Sequence, residues 1–310
     1  MMSPIPSMKL NTGASMPVIG LGAAAGFTSE EIIGSKDWIL SALKLGYRHV
    51  DTAMIYGTES IVGVAVRELG IAREEIFVTS KVPWHHMEYI PRSFNDSLSA
   101  FGFDYLDMYL LHWPQSIRYP GGYEAPTDLE DIRTGFKILE TPTLNDNWAE
   151  LEKIYASGKV KAIGVSNFSI KTLEQLFKTA KVVPAVNQIE LHPYLAQTEL
   201  VEYCHQKGIA VTAYSPTGLA KVRGDPLIAE LAGKYKVSQA QIILAWHVAR
   251  GVAAIPKSQD PVRQKENITL PVLSSGDVTR ITGLDRGERI VSKLQPDGTL
   301  YGWTSEQYGW

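Results

Sequence analysis

Eight short apolar runs rich in β-branched residues recur along the chain, and each is followed by a segment with helical periodicity. They fall at residues 16–22, 49–53, 76–82, 106–112, 162–166, 185–189, 210–214 and 252–255. A strand, a helix and a second strand in succession imply parallel pairing through a helical crossover, because a tight turn cannot join parallel neighbours. Eight such units in about 250 residues fit a closed α/β barrel, (β/α)8, better than a doubly wound sheet. One barrel domain spanning residues 1–310 is therefore expected.

The intervening helices carry local signals. Ile61, Val62, Ala65, Val66 and Leu69 share one face and stop at Gly70. Leu173, Leu176 and Phe177 form another face after Ser169; Asp225-Pro226 reads as an N-cap with proline at the first helical position. Ser238 with Gln241 makes a capping box. Residues 8–13 read as the first arm of a hairpin turning at Thr12-Gly13, a plug for the barrel's N-terminal end. Residues 113–147 break the rhythm with Pro-Gly-Gly, Ala-Pro-Thr and Thr-Pro-Thr, and read as a long irregular loop on the substrate side.

Composition narrows the function classes. A net charge of −3, with Lys and Arg scattered, leaves no electrostatic footprint for nucleic acid. No eighteen apolar residues run together, and the first ten residues lack a signal-peptide pattern, so no membrane partner and a cytoplasmic location are expected. The single cysteine, Cys204, lies in a helical pattern as core filler and fits a reducing compartment.

In a parallel barrel the C-terminal strand ends converge on one face. Asp51 ends the second strand, Tyr56 follows in the next loop, Lys81 closes the third strand and His112 the fourth. Singly, each has a structural reading: an ion-pair partner, a loop aromatic, a solvated strand end, a hydrogen-bonded core histidine. Together they suggest chemistry. A buried ammonium needs a counter-ion, which Asp51 can supply. A phenol beside that ammonium is expected to titrate below its usual value of about 10 and to give a proton to a developing alkoxide.

Other strand ends suit a nucleotide. Lys257, Ser258 and Arg263, after the eighth strand, can surround a phosphate, although a solvated cap with two surface cations is the plain alternative. Tyr214 offers a ring face, Ser215 and Thr217 offer hydroxyls, and Ser166, Asn167 and Gln188 can bond a carboxamide. As structural features these are turns and strand-end caps.

These residues also carry a resemblance. Gly20-Leu21-Gly22, Arg48-His49-Val50-Asp51-Thr52-Ala53 with Tyr56-Gly57, Thr79-Ser80-Lys81 and Leu111-His112-Trp113-Pro114 are similar to motifs of the aldo-keto reductases. So are Gly164-Val165-Ser166-Asn167-Phe168, the run from Val186 to Tyr194, Tyr214-Ser215-Pro216, and Ile255-Pro256-Lys257-Ser258 with Arg263 and Asn267. The resemblance covers nearly the whole chain. It implies a barrel that binds extended NADPH, without metal, and reduces a small-molecule carbonyl substrate. Tyr56 would be the general acid, tuned by Lys81 and Asp51, and His112 would orient the carbonyl. Ser166, Asn167 and Gln188 would hold the nicotinamide amide, Tyr214 would stack on its ring, and Ser215 and Thr217 would face the pyrophosphate. Lys257, Ser258 and Arg263 would take the 2′-phosphate, with Asn267 and Glu266 at the adenine. A monomer is the family's usual state.

The sequence departs from that pattern at Ala23-Ala24-Ala25, where many relatives carry threonine and a bulky aromatic, so Ala24 should widen the pocket. Trp84 stands one residue late for a familiar aromatic position, and Trp113 fits the tryptophan beside the histidine. Only a short segment, residues 220–224, can cover the pyrophosphate, which favours easy cofactor exchange. In the C-terminal loop, residues 287–310, Trp303 is the expected pocket wall. A nicotinamide-binding scaffold with little catalysis is the alternative from another class; a metal-dependent hydrolase would need more histidine and carboxylate ligands at the strand ends than Asp51 and His112.

Overall fold

The computed structural model describes residues 6–26, 28–124, 132 and 134–310. Its centre is a sheet of eight parallel strands: β1 (Leu21–Gly22), β2 (His49–Asp51), β3 (Phe77–Val82), β4 (Met108–Leu111), β5 (Ile163–Ser166), β6 (Val186–Glu190), β7 (Ala210–Tyr214) and β8 (Val252–Ala254). Each strand pairs with the next in chain order. The ring closes where Ile19 bridges Ala254: Gly20 N donates to Ala254 O at 2.9 Å, and Ala254 N to Val18 O at 2.7 Å. Among the described residues, closure leaves the eight-stranded sheet without a free edge. Both faces of each strand are covered, one by the barrel interior and one by helices, which is why the strands read as continuous apolar runs.

The expected first strand is divided. Met16 belongs to an antiparallel hairpin, Ser7–Lys9 with Ser15–Pro17, while the barrel strand proper is Leu21–Gly22. Pro17 has no N–H for a central ladder, so the chain changes partners there. The hairpin turns at Gly13, with φ of +85°, and buries Leu10 and Met16. Asn11 donates to Pro184 O at 3.1 Å just ahead of β6, which places the hairpin across the barrel's N-terminal end.

The helix signals match. Helix Glu59–Glu68 ends ahead of Gly70 (φ +61°), Ser169 caps Ile170–Phe177, Asp225 caps Pro226–Tyr235, and Ser238 with Gln241 caps Gln239–Ala249. The described part of residues 113–147 is less irregular than expected; residues 125–131 and 133 of that loop lie outside the described residues. Ser116–Arg118 pairs antiparallel with Lys137–Leu139, and a helix, Leu144–Ala156, already begins behind Thr143. Two three-residue strands so far apart leave no periodic trace in sequence. A second small hairpin, Thr299–Leu300 with Trp303–Thr304, turns through Tyr301 (φ +47°) and Gly302 (φ +78°), the two positive values that a type I′ turn requires. Among the described residues no helix is long and apolar enough to cross a membrane.

Candidate active site

At the C-terminal mouth of the barrel, β2 and β3 bring a carboxylate and an ammonium together. Lys81 Nζ donates to Asp51 Oδ1 at 2.5 Å and to Thr52 O at 2.7 Å, and the lysine is fully buried. From across the barrel, Gln188 of β6 donates to the other oxygen, Asp51 Oδ2, at 2.6 Å. Burial pushes the Lys81 ammonium down, while the charge and hydrogen bond of Asp51 oppose that. A buried pair of this kind is tolerable only because each remaining polar atom finds a partner.

After Asp51 the backbone makes one 3-10 turn, Met54–Tyr56, and reverses at Gly57 with φ of +68°. That turn brings the Tyr56 hydroxyl 3.3 Å from His112 Nε2, with the two rings edge to face. Lys81 Nζ lies 5.3 Å from the centre of the Tyr56 ring. The expected lowering of the Tyr56 pKa does not occur here. Burial pushes the phenol well above its usual range, and the negative charge of Asp51 adds to the rise. Asp51 already engages the ammonium, so the hydroxyl remains a protonated donor. His112 is held neutral, chiefly by burial and then by the positive charge of Lys81.

The remaining strand ends line a cleft of about 460 Å³ that contains Ala24, Tyr56, His112, Ser166, Asn167, Gln188, Tyr214, Ser215 and Thr217. Its far end continues into a second cavity of about 480 Å³ lined by Lys257, Ser258, Arg263, Glu266 and Asn267. Thr217, Arg223, Pro256 and Lys257 border both, so one groove runs from the Tyr56 hydroxyl to Asn267. Ser166 Oγ donates to Gln188 O at 2.8 Å, Asn167 Nδ2 to His112 O at 2.9 Å, and Tyr214 Oη to Asn167 Oδ1 at 2.7 Å. Asn167 and Ser215 are held at φ of +65° and +46°, conformations that side chains other than glycine rarely adopt outside functional turns. Lys257 Nζ donates to Ala25 O at 3.0 Å, and the Arg263 guanidinium is exposed 3.7 Å from Asp260. Arg223, which borders both cavities, has little to single it out in the sequence. It reaches Thr217 Oγ1 at 3.1 Å from the short helix Leu219–Arg223, and its only local signal is a basic residue five positions past the turn at Gly218.

Beside His112, Trp84 and Trp113 are both buried, and the Trp84 ring meets His112 edge to face. The C-terminal hairpin delivers Tyr301 to them, with ring centres 4.5 Å from Trp84 and 5.3 Å from Trp113. Trp303, the expected wall, instead meets Tyr308 at 5.3 Å. The signal for Tyr301 was the Tyr-Gly pair itself, since a two-residue turn projects its tip. Among the described residues no group of three or more His, Cys, Asp or Glu side chains is arranged to hold a metal.

Comparison with known proteins agrees with this architecture. The Aldo/keto reductase family profile matches residues 19–286. The chain is 40% identical over 296 residues to Glycerol 2-dehydrogenase (NADP(+)) of Saccharomyces cerevisiae, covering 92% of this chain and 93% of that protein. It is 38% identical to Aldehyde reductase YPR1 of the same yeast, over 90% of this chain and 91% of the relative. Glyoxal reductase of Bacillus subtilis is also 38% identical, over 95% and 98% respectively. The chain belongs to the aldo/keto reductase family and is an oxidoreductase acting on carbonyl groups.

Proposed function

We propose that the protein reduces an aldehyde or ketone to the alcohol with NADPH, and that Tyr56 is the general acid. The observation that carries this reading is the 3.3 Å approach of the Tyr56 hydroxyl to His112 Nε2 at the head of the groove, with Lys81 and Asp51 behind it. A carbonyl oxygen can sit within reach of both donors. Negative charge grows on that oxygen during reduction, so donors fixed there stabilise the transition state more than the ground state. Tyr56 then passes its proton to the oxygen, and His112 holds the carbonyl in place. Lys81 keeps positive charge beside the phenolate that this transfer leaves, and Asp51 keeps Lys81 charged.

The donor set of the groove suits an extended dinucleotide. Amides and hydroxyls line the cavity that holds Tyr56, and Lys257, Ser258, Arg263, Glu266 and Asn267 line the cavity that continues from it. We assign Ser166, Asn167, Gln188 and Tyr214 to the nicotinamide, Ser215 and Thr217 to the pyrophosphate, and the far cations to a 2′-phosphate. NADPH supplies the hydride. Trp84, Trp113 and Tyr301, together with Ala24, make an apolar, aromatic substrate wall, and residues 113–147 and 287–310 act as the loops that shape it.

The test is Tyr56→Phe, which keeps the ring and removes the proton donor. Turnover of an aromatic aldehyde should fall by about 100-fold or more, while NADPH binding, followed by fluorescence titration, stays within about twofold of the parent. Undiminished turnover would refute the assignment.

A further inference from the structure

Glu190, the last residue of β6, is fully buried and points at a segment 100 residues later in the chain. Its Oε1 accepts from Ile290 N at 2.6 Å and Val291 N at 2.9 Å; its Oε2 accepts from Ser292 N at 2.8 Å. His192 Nε2 lies 3.2 Å from Oε1. Burial alone would raise this carboxyl, but the hydrogen bonds from His192 and the three backbone amides outweigh it and bring it down to about 2. The carboxylate is thus ionised throughout the working pH range. Residues 290–292 lie outside any helix or strand, so three successive amides that would otherwise need water converge on one buried anion.

This anchored segment touches the groove. Ser292 Oγ is 2.5 Å from the Tyr214 hydroxyl, which in turn bonds Asn167 Oδ1, and Asn167 bonds His112 O. Val291 forms one lip of the cleft and is 50% exposed; Leu219, 52% exposed, forms another. The two lips are joined by an ion pair between Lys221 and Glu288. The carboxylate therefore lies under a strap, residues 288–292, that closes over the Tyr214 end of the groove.

We propose that Glu190 is a positioning residue for the dinucleotide: it anchors residues 290–292 so that Ser292 fixes the Tyr214 ring and the strap slows cofactor release. The inference rests on reading the groove as an NADPH site.

Two variants test it on the full-length protein. Ser292→Ala removes only the hydroxyl and leaves its N–H on Glu190; Glu190→Gln weakens the anchor itself. NADPH release, followed by stopped-flow fluorescence, should be roughly three- to tenfold faster in Ser292→Ala and faster still in Glu190→Gln. The Michaelis constant for NADPH should rise in step, while that for the carbonyl stays within about twofold. Without NADPH, Glu190→Gln should also become open to trypsin at Arg286, Arg289 and Lys293. A role confined to stability predicts a lower melting temperature with parental release rates, and that result overturns the proposal. If Glu190→Gln does not fold, Ser292→Ala decides alone. Release is measured without turnover, so a parent protein that binds NADPH yet reduces no aldehyde counts against the proposed activity only, whereas a parent that binds no dinucleotide overturns both.

Discussion

Neighbouring residues of β3 serve opposite faces of the sheet. Lys81 points into the barrel mouth toward Asp51, while Ser80 donates at 2.5 Å to Glu59, buried between the sheet and the first turn of helix Glu59–Glu68. Burial raises the Glu59 carboxyl from 4.5 to about 6, against the opposing effects of Ser80, Ser97 and Lys81. The sign follows from linkage: between pH 4.5 and 6 the folded protein keeps a proton that the unfolded chain has released. Stability tied to Glu59 is therefore full below pH 4.5 and lost as the pH rises through 6, by about 2 kcal/mol. Glu59→Gln should accordingly improve stability relative to the parent at pH 8 more than at pH 5 in urea titrations; an equal effect at both would remove the titration from the account. The convergence of parallel strand ends made Lys81 and its partner legible in sequence. The burial of Glu59 was not legible, because a glutamate in the first turn of a helix usually faces water, near the positive end of the dipole.

Helix Glu59–Glu68 shows what periodicity reads and what it misses. Its apolar face and its stop before Gly70 follow from the spacing of Ile61, Val62, Ala65, Val66 and Leu69. The tight seat against the neighbouring helix, Ile90–Phe101, does not. A Cβ on Gly63 would stand 2.0 Å from the carbonyl oxygen of Phe101. In an isolated helix, alanine for glycine gains about 1 kcal/mol. Here the two helices would have to separate, so Gly63→Ala should cost a net of about 1–3 kcal/mol, read as a lower melting temperature. A melting temperature at or above the parent's would mean that this contact yields freely. The small antiparallel pairing of Ser116–Arg118 with Lys137–Leu139 has no sequence signal for a related reason, since its two strands carry no pattern long enough to count.

At the scale of the whole molecule, the C-terminal segment covers the barrel mouth from far along the chain, with the Tyr301 ring tilted against Trp84 and Tyr308 completely buried. Gln115 donates to the Tyr308 hydroxyl, and Ser169 to its carbonyl oxygen. Tyr301→Asn should keep the left-handed turn, which asparagine tolerates, while removing the aromatic wall. The expected result is a Michaelis constant for an aromatic aldehyde raised by about threefold or more, with that for NADPH unchanged within about twofold; a shift in NADPH alone would exclude Tyr301 from the substrate side. By itself the sequence determined the barrel, because eight repeats of strand and helix period leave few other ways to bury so much apolar surface. It also determined the grouping of Asp51, Tyr56, Lys81 and His112, since parallel strand ends must share a face. Only the tertiary structure decided that Tyr56 is raised rather than lowered, that Tyr301 and not Trp303 meets the two tryptophans, and that Glu190 holds residues 290–292. The first depends on burial and the other two on contacts across a hundred residues or more, and neither is encoded in local spacing.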